Sequence, residues 1–370
     1  MMKQSSKKNK GPYYDIRSDL ETYPDAWLYM IVGGRNTGKT YSALRYYYEK
    51  GQPVVFVKRH NKDIDLLCAG ARIGDKAPAF ELDLSPYKPI NRDFGCCIKA
   101  FKIDDGLGAF YNTGEDGGAI GKPVGYLLSL FAVSKWKGFD MSECPAVIFD
   151  EFIPQNWDRQ NRTEGEQLME LYKTVERDRA IRHPDEELKL MCLANAVNVF
   201  NYTADVLEVT DLVADMSIHN VETHYLEDRD IFIRILETPE EMLEAEKKTG
   251  IYKSMKGTAW ARMAFGNEFA YNDFSNIGKM VLKNFRPLIE LQHKQKTFYI
   301  YHHAERGLYY MGTSRASCPV SYDLNKEMDQ RAFWYNECIE LLSASIDGRM
   351  KFETYTMYDL IINYKKRFRI

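Results

Sequence analysis

The stretch Gly33-Gly34-Arg35-Asn36-Thr37-Gly38-Lys39-Thr40 spaces its residues as GxxxxGK(S/T), straight after an apolar run. The glycines let backbone N–H groups curl around phosphate oxygens at a helix N-terminus, whose dipole favours anions. Lys39 would reach the β- and γ-phosphates of a nucleoside triphosphate, and the Thr40 hydroxyl would bind Mg²⁺. Gly51 then stops the helix that the loop opens.

Such a site needs an acid at the end of a second buried strand. "AVIFDEF" ends its apolar run in Asp150 and Glu151. Asp150 would hold the Mg²⁺ through water. Glu151 is suited to polarise the attacking water as general base. Small GTPases and nucleotide kinases usually lack that glutamate. The guanine-reading NKxD signature is also missing, since Asn61-Lys62-Asp63-Ile64 fails at its fourth position. These features point to an ATP hydrolase. A third run, "LKLMCLANAV", ends in Asn195, placed to sense the γ-phosphate; a strand-end asparagine is otherwise a turn former.

Residues Thr163 to Arg182 read as one helix, opened by a capping box from Thr163 to Glu166. Leu168, Leu171 and Val175 share its core face. Arg177 lies about 200° from Val175 at 3.6 residues per turn, so it faces outward, with no acid three or four residues away. An arginine so placed suits a finger reaching a neighbouring subunit's nucleotide, with Arg179 and Arg182 next in line; the plain alternative is a solvated side chain. Lys58, Arg59 and Lys62 cluster after another strand. They are open to holding Glu151 idle, to phosphate or DNA contact, or to no more than a solvated loop.

The elements that must position these residues are a run of alternating strands and helices. "AWLYMIVG", "PVVFVKR", "YLLSLFAV", "CPAVIFDEF", "LKLMCLAN" and "IFIRIL" are short, nearly continuous apolar runs, as in buried strands of a mostly parallel sheet. Residues 91–113 read as a hairpin turning at Asp104-Asp105-Gly106. Glu237 to Gly250 reads as a charged helix capped by Thr238 and ended by Gly250. "TFYIYHH" and "GLYYMGT" make a strand pair, followed by helices at 325–345 and 354–367. The expected organisation is a flexible basic tail (1–20), a P-loop ATPase domain (21–236), a linker domain (237–276) and a small α+β domain (277–370).

A 45% hydrophobic fraction over 370 residues fills more than one core. A net charge of -3 confines any polyanion contact to a local patch. Seven cysteines lack zinc-like spacing and read as reduced thiols. No apolar run of membrane-spanning length occurs, so no membrane partner is expected. The polar start "MMKQSSKKNKGP" lacks the apolar centre of a signal peptide.

"GGRNTGKTY", "VIFDEF", "TVERDR" and "LANAV", in that order, make the chain resemble the DNA-packaging (encapsidation) ATPases of small protein-primed tailed phages. The resemblance continues through "FGNEFAYNDF" and "GRMKFETYTMYDLIINYKKRFRI". It implies an α/β fold: an additional-strand P-loop ATPase domain, a linker and a ribonuclease-H-like C-terminal domain. It also implies ATP and Mg²⁺, double-stranded DNA, a homopentameric ring on the capsid portal and, in one branch, a packaging RNA. The place of action would be the host cell cytoplasm, on the procapsid. Lys39, Thr40, Asp150, Glu151, Arg177 and Asn195 match the family's functional positions. Arg35 matches an arginine of larger packaging ATPases, and Lys58 stands where relatives can carry arginine.

A two-metal nuclease needs clustered carboxylates on its strands. The C-terminal strand pair carries only Glu305, in its turn, so an inactive nuclease domain is expected, its basic end "KKRFR" usable for docking on nucleic acid or on the portal. The competing readings are a helicase or recombinase-type DNA-remodelling ATPase and a non-catalytic nucleotide-binding scaffold. Glu151 argues against the latter.

Overall fold

The computed structural model describes residues 13–69, 84–135, 138–155, 157–158, 161–184, 186–266, 269 and 272–370. Most of the expected basic tail and the 70–83 stretch lie outside them, as does part of "FGNEFAYNDF". The chain forms two compact units, one of residues up to 207 with 219–271, the other of 208–218 with 272–370.

The first unit is built on nine strands: β1 (Leu28–Val32), β2 (Val54–Lys58), β3 (Ile98–Asp104), β4 (Leu107–Thr113), β5 (Ala119–Ser129), β6 (Ala146–Asp150), β7 (Lys189–Ala194), β8 (Thr223–Leu226) and β9 (Ile231–Ile235). Their order is β3-β4-β5-β2-β6-β7-β1-β9-β8. The pairs from β5 across to β9 are parallel, with antiparallel pairs at both margins. All five residues of β1 are buried, as are the first four of β2 and β6. Continuous apolar runs are what strands covered on both faces require. The β3–β4 hairpin turns at Asp104–Gly106 as its sequence predicts, but it begins at Ile98 rather than Asn91: Lys88–Phe94 is a helix ended by left-handed Gly95.

Register fixes where the chemistry goes. Ile31 lies beside Leu193, and Leu193 beside Asp150. The C-terminal ends of β1, β7 and β6 are therefore level. Because β7 stands between β1 and β6, Asn195 emerges between Gly33 and Asp150. The ends of parallel strands in an open α/β sheet are where ligands bind.

Two helices brace this edge. Lys39–Glu49 buries Ala43, Leu44 and Tyr47. Glu164–Glu176 buries Leu168, Leu171 and Val175, the face its spacing predicts. Truncating Leu171 to alanine in such a core costs roughly 2–5 kcal/mol. Gly165 is needed there, because a Cβ would sit 2.4 Å from the Tyr202 carbonyl oxygen of a packed helix.

Several local expectations change. The Thr163 side chain makes no cap hydrogen bond; its hydroxyl is spent on Asn161 Oδ1, 3.0 Å away. Pro239, not Thr238, occupies the N-cap of Glu240–Lys247, and Gly250 opens a further helix, Gly250–Met255, rather than ending the first. With Ala259–Gly266, these helices fall in the first unit. Residues 13–20 are packed rather than free: Ile16 is fully buried and Arg17–Thr22 is helical.

The second unit carries β10 (Arg286–His293), β11 (Lys296–His303), β12 (Leu308–Gly312), β13 (Val320–Asp323) and β14 (Met350–Phe352), ordered β13-β10-β11-β12-β14. β10, β11 and β12 form an antiparallel meander, with parallel strands added at each edge. Helices from 327 to 346 and from 355 to 368 close a core of Phe298, Ile300, Met311, Phe333, Leu341, Phe352 and Leu360. In the basic end, Arg367 is buried against Asp359, and Lys365 sits over the Trp334 ring. Cations of this end are thus engaged within the fold.

Candidate nucleotide-binding site

The loop between β1 and the helix at Lys39 needs two left-handed residues, Asn36 (φ 61°) and Gly38 (φ 90°). Gly33 packs under Leu236, whose Cδ1 lies 2.9 Å from where a Cβ would be. The glycines thus serve turn geometry and close packing before any ligand is considered.

Lys39 is buried, and its ammonium is turned into the loop. It donates to the carbonyls of Gly33 (3.1 Å) and Gly34 (2.7 Å) and to Thr37 Oγ1 (3.2 Å), and lies 3.5 Å from Asn195 Oδ1. Burial lowers its pKa to about 8, against a smaller upward pull from Asp150. The Thr40 hydroxyl donates to Asp150 Oδ1 at 2.8 Å. Lys39, Thr40, Asp150 and Asn195 thus meet at one sheet edge, although Lys39 and Asn195 stand 156 positions apart. Arg35 and Asn36 are exposed at the tip of the loop.

The second strand adds a cation. Lys58 Nζ lies 2.7 Å from Asp150 Oδ2 and 3.1 Å from Glu151 Oε2. Burial opposes its charge, but the two carboxylates outweigh burial and raise its pKa. Glu151 itself is a non-glycine residue at φ 61°, with its side chain 59% exposed. Strain of this kind costs roughly 1–3 kcal/mol and persists where surrounding contacts over-determine it. Here Arg59 supplies them. Its guanidinium donates to the carbonyls of Glu151 and Phe152 and pairs with buried Glu164 at 2.9 Å.

The Lys58-Arg59-Lys62 cluster therefore divides into three. Lys58 faces the acids, Arg59 is an internal clamp, and Lys62 is exposed.

Arg177 needs a correction. The helix ends at Glu176, and Arg177 is its C-cap at φ 45°, so an angular position on a continuous helix does not apply. Its partner comes from elsewhere in the chain: Asp140 Oδ1 at 3.9 Å. Both side chains are partly exposed, so the pair is worth well under 1 kcal/mol and releases easily. Arg179 is excluded as a free finger. It is buried, bonded to the carbonyls of Ser142, Cys144 and Glu186. Arg182 pairs with Asp178 at 2.7 Å.

The donor set also suits Mg²⁺, which prefers one or two carboxylates together with hydroxyl, water and phosphate oxygens. Asp150 already holds a cationic group and a hydroxyl within 2.8 Å.

The family described as Podovirus DNA encapsidation protein (Gp16) matches residues 119–368. The chain belongs to this family. It is a DNA encapsidation protein. Its fold is similar to a chain of the bacteriophage Phi-29 viral genome packaging motor assembly, with a TM-score of 0.63 at 17% identity, covering 97% of this chain and 100% of that one. It is also similar to the Phi-28 gp11 DNA packaging motor, with a TM-score of 0.59 at 16% identity, covering 97% and 98%. No curated protein matches in sequence.

A contact of the Lys58 cluster with Glu151 is one of the options the sequence leaves open. Three features of this encapsidation protein are not legible there: the Lys58 contact with Asp150, the Arg59–Glu164 clamp, and the packing of Tyr13–Thr22 onto the Gly33–Thr40 loop. The last shows in Tyr14 N–H donating to the Thr37 carbonyl and Ile16 N–H to Ser42 Oγ. No local pattern signals any of these, because each joins residues at least 23 positions apart. Among the described residues no helix is long and apolar enough to cross a membrane.

Proposed function

We propose that this encapsidation protein is a motor driven by ATP hydrolysis at the P-loop, with Mg²⁺, and moves double-stranded DNA into a preformed capsid in the host cell. The observation that carries the reading is the level register of β1, β7 and β6. It sets Lys39, Thr40, Asn195, Asp150 and Glu151 along one edge. The strand between the two motif-bearing strands supports assignment to the additional-strand class of P-loop ATPases.

In this reading, Lys39 exchanges the Gly33 and Gly34 carbonyls for phosphate oxygens, a gain of full charge pairing over dipole contacts. Thr40 and Asp150 would hold Mg²⁺, which would supply charge neutralisation to the developing phosphoryl group. Glu151 leaves Lys58 and accepts a proton from the attacking water. Asn195 orients toward the γ-phosphate. Gly33, Gly34, Arg35, Asn36, Thr37 and Gly38 line the phosphate loop. Arg177, freed from Asp140, acts on a neighbouring subunit's nucleotide within a homopentameric ring on the portal.

The second unit is read, on the family resemblance, as a ribonuclease-H-like domain without nuclease activity. It is a docking element for portal, DNA or a packaging RNA. The fold likeness to packaging motors over 97% of the chain favours this reading over a helicase or recombinase-type remodeller.

The test uses two substitutions. Lys39→Ala should abolish ATP binding, whereas Glu151→Gln should bind ATP and fail to turn it over or package DNA. Wild-type hydrolysis by Glu151→Gln removes Glu151 as the base.

A further inference from the structure

A cavity of about 220 Å³ opens beside the P-loop and shares Thr37 with it. Its remaining lining includes Tyr13, Leu236, Pro239, Glu222 and Glu237. Resting on the reading above, we propose that this cavity is the nucleoside subsite, with Tyr13 the platform on which the base stacks.

Three observations carry this. First, the wall chemistry suits a flat apolar ring: an aromatic face from Tyr13 and aliphatic surface from Leu236 and Pro239. Aromatic side chains stack any base through its π-face. Tyr13 is 60% exposed, so this ring is not buried in the core.

Second, the charge is wrong for more phosphate and right for sugar hydroxyls or amino groups. Arg234, the cavity's cation, is already committed to buried Asp19 through Nε at 2.9 Å and a terminal nitrogen at 2.7 Å. What remains to face a ligand is Glu222, 3.9 Å from Arg234, and Glu237. Carboxylates accept from hydroxyl and N–H donors and repel phosphate.

Third, Tyr13 is held in place by its neighbours. Tyr14 N–H donates to the Thr37 carbonyl at 3.0 Å, and its hydroxyl donates to Asp19 at 2.6 Å. Ile16 N–H donates to Ser42 of the P-loop helix at 2.7 Å. Tyr13 Cβ stands 3.2 Å from where Gly38 would carry its own. The strap anchors the backbone beside Tyr13 at the loop's mouth, which lowers the ordering cost at binding.

The experiment compares two ligands on the full-length protein, ATP and inorganic tripolyphosphate, by calorimetry or competition. Tyr13→Ala should weaken ATP about tenfold, within the range base stacking supplies, and leave tripolyphosphate unchanged; Tyr13→Phe should restore ATP. Glu222→Gln with Glu237→Gln should erase any preference for ATP over 2′-deoxy-ATP. An unchanged ATP affinity in Tyr13→Ala overturns the proposal, as does an equal loss for both ligands. Lys39→Ala should weaken both ligands. If Lys39→Ala left both intact, the P-loop reading would fall instead, so the two failures are told apart.

Discussion

Lys39 carries a prediction whose size follows from its burial. Its pKa of about 8 lies well below the ordinary 10.5, because the ammonium is buried among the P-loop carbonyls. Triphosphate placed against it restores the charged form, so binding takes up a proton wherever the free site has lost one. Roughly three-quarters of Lys39 is charged at pH 7.5 and about 3% at pH 9.5, so ATP affinity should fall about 25-fold across that interval. At pH 8.5 binding should take up about 0.75 proton.

Isothermal titration calorimetry in two buffers of different ionisation enthalpy reads both quantities. Lys39→Arg, whose guanidinium does not titrate here, should bind with little pH dependence. Stability without nucleotide supplies a second readout. Below pH 8 Lys39 is charged in folded and unfolded chains alike, and the cost of burying its charge is fully felt. Between about 8 and 10.5 the unfolded chain keeps the proton that the folded chain has lost, so stability rises with pH from this group. An affinity flat within twofold from pH 7.5 to 9.5, without proton uptake, would refute the argument.

Arg59→Met strands the buried Glu164 carboxylate and should destabilise the protein by about 3–5 kcal/mol, with much of the loss recovered in Arg59→Met/Glu164→Leu; denaturant melts decide, and a fully stable single variant sinks the clamp. Arg177→Ala should cut turnover by roughly 10³ with nucleotide binding intact. Mixed with Glu151→Gln subunits it should regain part of the activity, and no regain in rings shown to be mixed removes a trans role. Glu151→Gly should be at least as thermally stable as wild type, because glycine adopts φ 61° freely, while losing turnover. A lower Tm than wild type would show that the Glu151 backbone is not strained.

Much of the site is written locally. Gly38-Lys39-Thr40 after a buried run, Asp150-Glu151 after another and Asn195 after a third are each complete within a few residues. Spacing alone yields them, because a phosphate loop, a strand-end acid and a strand-end amide are short-range features. Most core strands were equally legible, since a strand covered on both faces is apolar throughout. "YLLSLFAV" overran, because its strand ends at Ser129 and its equally buried Leu130, Ala132 and Val133 lie in a 3-10 helix. The order of those strands, and hence the meeting of Lys39 with Asn195, came only with the fold. So did everything that depends on partners distant in sequence. As residues of one helix, Arg177 reads as outward and unpaired, with Arg179 next in line. A break at Glu176 left one beside Asp140 and buried the other among carbonyls. Lys58 and Arg59 are neighbours in sequence, yet one reaches the strand-end acids Asp150 and Glu151 and the other lies in the core against Glu164. Local pattern determines which residue types can do the chemistry. Long-range packing, which sets burial and charge pairing, decides which of them are free to do it.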